Sequence, residues 1–122
     1  AKDYYRRTGI FPIMHVVGIR KELAAQHRWL PAAVYKAFSE SKAKALELLA
    51  DTSATKVTLP FVEEQLKAAR ETLGQDFWSY GVEPNRKTIE AFLHHHHAQG
   101  LSSRRVALDE LFDPSTYESY SI

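Results

Sequence analysis

Two arginines, a threonine and a glycine stand in a row at Arg6, Arg7, Thr8 and Gly9, and a histidine follows at His15. These side chains handle anions and protons. Guanidinium groups grip carboxylates through paired N–H donors. A threonine hydroxyl and the amides around a glycine can hold an anion in a turn. Imidazole exchanges a proton near neutral pH. Each residue also has a plainer reading. Arg6 and Arg7 can be solvated charges, and Thr8–Gly9 an ordinary turn. A lone histidine among Ile13, Met14, Val16 and Val17 is ordinarily a hydrogen-bonded core residue.

A second concentration is the run His94, His95, His96 and His97. On a helix, His94 and His97 share a face, with Glu90 one turn before His94. Three such groups could gather a divalent ion, but zinc needs a further ligand or an open catalytic position with ordered partners around it. The reading adopted is a helix surface, with His96 on the buried side and no metal site. Phe77, Trp78 and Tyr80 read as packing residues rather than a stacking platform. No glycine-rich phosphate loop, nucleophile elbow or P-loop lysine is present.

The 122 residues allow at most one domain with a modest core. The chain is 44% hydrophobic and 25% charged, with 16 basic and 15 acidic residues and a net charge of +1. That balance gives no reason to expect a nucleic-acid partner. The absence of cysteine removes disulfides and thiolate chemistry without fixing the compartment. No apolar run reaches the length of a membrane span. The chain opens at Ala1 with neither an initiator Met nor a signal peptide, which suggests a processed or truncated product.

What must position these residues is mostly helical. A short helix is expected at "RKELAAQH" and a long one through "WLPAAVYKAFSESKAKALELLAD", with Pro31 in its first turn. The long helix should bury Val34, Phe38, Ala45 and Leu49, which recur at helical spacing. After the polar break "DTSATKVT", "PFVEEQLKAARETLG" aligns Val62, Leu66, Ala69 and Leu73 and stops at Gly74. The aromatic connection "QDFWSYGVEP" leads into a helix from about Pro84 to Gly100, with a stripe of Ile89, Phe92, Leu93 and His96. A short helix "ALDELFD" halts at Pro114, and "STYESYSI" reads as a loose tail.

One segment breaks the pattern. "IFPIMHVVGIR" is a continuous apolar, β-branched run that predicts a strand buried on both faces, as in a parallel sheet. "KVTL" and "RRVAL" are too short to partner it. A single strand leaves its amides unpaired. Either the chain is a piece of a larger α/β protein, or it assembles with other copies or a partner. The expectation is thus a mainly α chain of four to five helices plus one strand, forming a single incomplete domain. Residues 1–20 make a hinge segment and strand, 21–113 the helical part and 114–122 the tail.

Three blocks, "GIFPIMH", "DFWSYGVEPNRKTIEAF" and "ELFDPST", together with "YYRRTGIFPIMHVVGIRKEL" and "HRWLPAAVYKAFSESKAKAL", carry a resemblance. From Tyr4 to Thr116 the chain resembles the C-terminal portion of the 4,5-dihydroxyphthalate decarboxylase family. It departs from that pattern at Arg28, where a proline is expected, and in having four histidines at 94–97 where two are usual. The resemblance implies a two-lobed α/β architecture similar to type II periplasmic solute-binding proteins, with the ligand between lobes and the 10–20 segment near the hinge.

The chemistry it implies is non-oxidative. A phenolic oxygen pushes electrons into the ring, an acid protonates the carbon bearing the carboxylate, and carbon dioxide leaves. On that reading His15 is the catalytic acid and Arg6, Arg7, Thr8 and Gly9 bind a small anionic aromatic ligand. No cofactor is needed by that logic. The alternative is a transporter's solute-binding protein for a small anion, with no catalysis. The enzyme would be cytoplasmic and the binder periplasmic, with the cytoplasm preferred. The 122 residues alone are expected to be inactive, and a homo-oligomer through the unpaired strand is one further outcome.

Overall fold

A computed structural model describes residues 1–53 and 57–117. Five helices follow one another: α1 (Lys2–Thr8), α2 (Lys21–Gln26), α3 (Leu30–Ala50), α4 (Val62–Leu73) and α5 (Val82–Ala98). Two 3₁₀ turns close the described part, at Leu108–Glu110 and Pro114–Thr116. Lys56 of "KVTL" and the tail beyond Tyr117 lie outside the described residues.

The core is small and sits on α5. Val82, Ile89 and Leu93 line its inner face, and Leu108 packs on them from the first 3₁₀ turn. Val106, Phe112 and Tyr117 fill in around this cluster. The entry to α5 is stitched by Asn85. Its amide donates to the Ser79 carbonyl at 3.0 Å and the Gly81 carbonyl at 2.8 Å, while Ser79 Oγ donates to its Oδ1 at 3.1 Å. Glu83 N–H then donates to the Tyr117 carbonyl at 2.8 Å, tying the start of α5 to the end of the described chain.

The second body of packing is α3. It meets α2 at one end and the Pro114–Thr116 turn along its flank. Its inward residues are Pro31, Val34, Tyr35, Ser39, Lys42, Leu46 and Leu49. This corrects the expected stripe: Val34 and Leu49 do turn inward, but Phe38 and Ala45 face solvent. The helix is rotated by about one position because Ser39, only 4% exposed, and the stem of Lys42 take inner places that apolar spacing assigned to others. On α4, Val62, Leu66, Ala69 and Leu73 are all partly buried, as their spacing predicts. On α5, Ile89 and Leu93 are buried and His96 partly so, whereas Phe92 is exposed.

The expected strand at Ile13–Arg20 is not present. Among the described residues there is no strand at all. An apolar, β-branched run reports a demand for burial; a strand exists only where a neighbouring segment completes its ladder, and no described segment does. Met14 and Val16 are instead 68% and 71% exposed. Without a ladder edge, homo-oligomerisation through an unpaired strand also loses its basis.

A compact protein of 13.9 kDa exposes roughly 6,700 Å² by the usual size scaling. This chain exposes 9400 Å². The excess includes Ile13, Met14, Val16 and Val17, which the sequence patterning marks for burial, and exposed leucines such as Leu59 and Leu101. No helix among the described residues is long and apolar enough to cross a membrane.

Candidate functional site

The polar opening segment forms a helix that apolar periodicity does not announce. Asp3 lies in its first turn, Arg6 and Arg7 in its last, and Gly9 ends it. Charges in that order suit the helix termini. Gly9 adopts φ 67°, the left-handed geometry that glycine enters without a steric penalty, and its N–H donates to the Tyr5 carbonyl.

Arg6, Arg7, Thr8 and Gly9 are therefore gathered on the last turn of one short helix. Arg6 pairs with Asp3 at 3.2 Å, and both side chains are solvated. Arg7 is exposed and has no partner among the described residues. Thr8 Oγ1 donates to the Tyr4 carbonyl at 2.8 Å and accepts from Ile10 N–H at 3.1 Å. The amides of Gly9 and Ile10 are thus committed to capping, and an anion arriving here meets the guanidinium groups first.

His15 lies farther along the exposed segment. No hydrogen bond, ion pair or ring contact among the described residues joins it to the α1 end. The segment is instead pinned at its start, where Phe11 meets Trp78 edge-to-face with ring centroids 5.9 Å apart. Trp78 belongs to the aromatic connection between α4 and α5, which Lys42 fastens from α3. Its Nζ donates to the Trp78 carbonyl at 3.2 Å and lies 4.8 Å from the Tyr80 ring centre.

The structure adds a cation that the sequence reading missed. Lys87 Nζ lies 3.3 Å from where a Cβ on Gly9 would stand, so α5 delivers an ammonium group to the end of α1. The preceding arginine is not available in the same way. Arg86 is gripped by Glu83 and reaches Glu90 Oε1 at 3.5 Å. Its hydrogen bond holds the Glu83 carboxyl below the ordinary carboxylate range, and Glu83 in turn raises the guanidinium further. Position 87 carried no local signal for this role, because the contact joins segments far apart in the chain.

The histidine run sits on the last turns of α5. His96 Nδ1 is 3.2 Å from Ser102 Oγ, and His97 Nδ1 is 3.2 Å from the Ser102 carbonyl. Two of the four rings thus stitch the helix end to the following loop. Glu90 is drawn toward Arg86. Among the described residues, no three His, Asp or Glu side chains converge as a metal site.

The chain's similarity is to a decarboxylase. Over all of its 122 residues it is 57% identical to a 4,5-dihydroxyphthalate decarboxylase of Comamonas testosteroni. It spans 37% of that protein's length and matches its C-terminal part. No family model matches the chain.

Proposed function

We propose that this chain is the C-terminal part of a decarboxylase that removes one carboxylate from 4,5-dihydroxyphthalate, giving protocatechuate and carbon dioxide. The observation that carries the reading is the 57% identity, which extends over the whole chain. The comparison lends no support to the solute-binding alternative or to a periplasmic location.

In the reaction, the phenolic oxygen para to the departing carboxylate donates electron density into the ring. A proton is added to the carbon that bears this carboxylate. The C–C bond to the carboxylate then breaks, its electron pair restores aromaticity, and carbon dioxide departs. His15 is the proton donor in this scheme. Arg6 and Arg7, with Lys87 beside Gly9, hold the carboxylates by charge and paired hydrogen bonds. Thr8 and Gly9 set the geometry of that end. No organic cofactor is called for by this chemistry, and a catabolic enzyme of this type fits the cytoplasm.

The exposed apolar segment supports a longer protein of two lobes, in which the remainder covers residues 10–20 and completes the site. The test is direct. The full-length protein is incubated with 4,5-dihydroxyphthalate, and carbon dioxide release and protocatechuate are measured. Turnover supports the enzyme; saturable binding without product removes it.

A further inference from the structure

Arg70 stands on the wrong side of α4 for a solvated charge. The neighbours it meets at helical spacing are Leu66, Lys67, Leu73 and Gly74, so no acid on its own helix can pair with it. Leu66 and Leu73 belong to the inward stripe, and Arg70 is itself partly buried. Its Nε is fully buried and meets no acceptor among the described residues. A guanidinium placed among leucines with a donor to spare is poised for an anion.

Arg70 lines a groove of about 360 Å³ between the end of α3 and α4. Leu49, Ala50 and Leu66 supply apolar walls, and Thr52 and Gln75 add a hydroxyl and an amide. The groove is open to solvent, and its volume is in the range that a small organic molecule fills. The charges narrow its class. Glu63, Lys67, Arg70 and Glu71 all reach the groove from α4, and among the described lining residues their charges cancel. Lys67 stands 4.0 Å from Glu71, whereas no ion pair holds Arg70 among the described residues. A phosphate dianion would be opposed by the two carboxylates. A single carboxylate on an apolar ring would pair with the Arg70 fork while its body covers the leucines.

We propose that this groove binds an aromatic monocarboxylate, with Arg70 as the anchor for the carboxylate. The site is separate from the α1 end and does not depend on the decarboxylation reading. The product of the proposed reaction has the same chemical character, whereas its dicarboxylate substrate does not.

The experiment uses the full chain, with benzoate and 3,4-dihydroxybenzoate as probes and phthalate and inorganic phosphate as comparisons. Binding is followed by calorimetry, and arginine accessibility by phenylglyoxal labelling with peptide mass mapping. The monocarboxylates should bind saturably and shield Arg70 from labelling, while phosphate should not. Arg70→Ala should weaken binding by about tenfold or more, the loss expected for a charge-assisted pair. In the doubly substituted Arg6→Gln, Arg7→Gln chain the monocarboxylates should still shield Arg70 from labelling, which separates this groove from the α1 end. The labelling needs no variant, so it decides even where Arg70→Ala does not fold. Unshielded Arg70 at saturating benzoate, unchanged affinity in Arg70→Ala, or preference for phosphate would each overturn the assignment.

Discussion

Lys42 Nζ donates to Asp76 Oδ1 at 2.8 Å, joining the middle of α3 to the connection that leads into α5. The lysine side chain is only 17% exposed, and it also serves the Trp78 carbonyl and the Tyr80 ring. One ammonium group thus holds in place the indole against which Phe11 packs.

That node should be measurable as stability. A hydrogen bond to a charged group is worth about 1.5–3 kcal/mol, but Asp76 is half in solvent and its share is smaller. Lys42→Met, which keeps the stem and removes the charge, should lower stability by about 1–2 kcal/mol. Asp76→Asn should cost less, since the Trp78 and Tyr80 contacts survive. Urea unfolding midpoints check both; equal losses would mean the ion pair carries the whole effect.

Phe61 is strained. It enters α4 at φ 60°, a left-handed conformation, with its ring exposed. A side chain there costs about 1–2 kcal/mol relative to glycine, partly offset because glycine loses more entropy on folding. Phe61→Gly should therefore stabilise the chain by up to about 1 kcal/mol. Thermal unfolding measures it, and a lower midpoint in the glycine variant would show the ring to be packed in solution.

How far the sequence foretold this arrangement depends on what each signal measures. The spacing of Val62, Leu66, Ala69 and Leu73 registers a buried face, and α4 lies as it predicts. The same logic turned α3 by one position, because it counts Phe38 as a core residue and has no place for Ser39 or a Lys42 whose charge is satisfied elsewhere. At Ile13–Arg20 the composition states a need for burial but not the partner that would supply it. That Arg6 to Gly9 stand together follows from their being consecutive, but the helix that carries them was not legible, because a polar segment shows no apolar period. Lys87 was not, because its approach to Gly9 is made by tertiary packing. Arg70 left a fainter trace: it stands four residues after Leu66 and three before Leu73, on the flank of the apolar stripe.

Glu110 gives the fold a defined response to acid. It accepts from both outer nitrogens of Arg104, at 2.8 Å and 2.6 Å, and from the Ala107 amide at 2.9 Å. The Arg104 hydrogen bonds first, and then the Ala107 amide, hold its carboxyl down to about 2 from an ordinary value of 4.5. Because the folded value is depressed, the contribution is complete above the ordinary range and is lost as pH falls through about 2. A carboxyl-detected NMR titration should place Glu110 well below the ordinary glutamate value, and Arg104→Gln should return it most of the way. A Glu110 that titrates at the ordinary carboxylate value in the parent chain would mean the pair is open in solution.

The uncovered segment should betray itself by exchange. Residues 13–17 are exposed and have no ladder, so their amides should exchange with solvent at close to unfolded rates in the 122-residue chain. The α5 amides around Ile89 and Leu93, at the core, should be the slowest. In a longer protein that covers the segment, the 13–17 amides should become protected while α5 changes little. Strong protection in the short chain at low concentration would instead mean that a ladder forms within it.

Proton transfer at His15 and substrate capture at Arg6 and Arg7 should separate in the kinetics. A positioned general acid contributes about 10²–10⁴-fold to rate, so His15→Ala in the full-length enzyme should lower kcat by at least about a hundredfold. KM should move little, because the imidazole holds no carboxylate. Arg7→Gln should show the opposite pattern, with KM for 4,5-dihydroxyphthalate raised and kcat largely kept, since Arg7 is exposed and meets no competing acid among the described residues. Arg6 is already shared with Asp3, so its loss should weaken binding less than the loss of Arg7. Steady-state kinetics on the three variants distinguish these roles. Full activity in His15→Ala would move the proton donor to another residue, and an unchanged KM in both arginine variants would move the carboxylate site away from the end of α1.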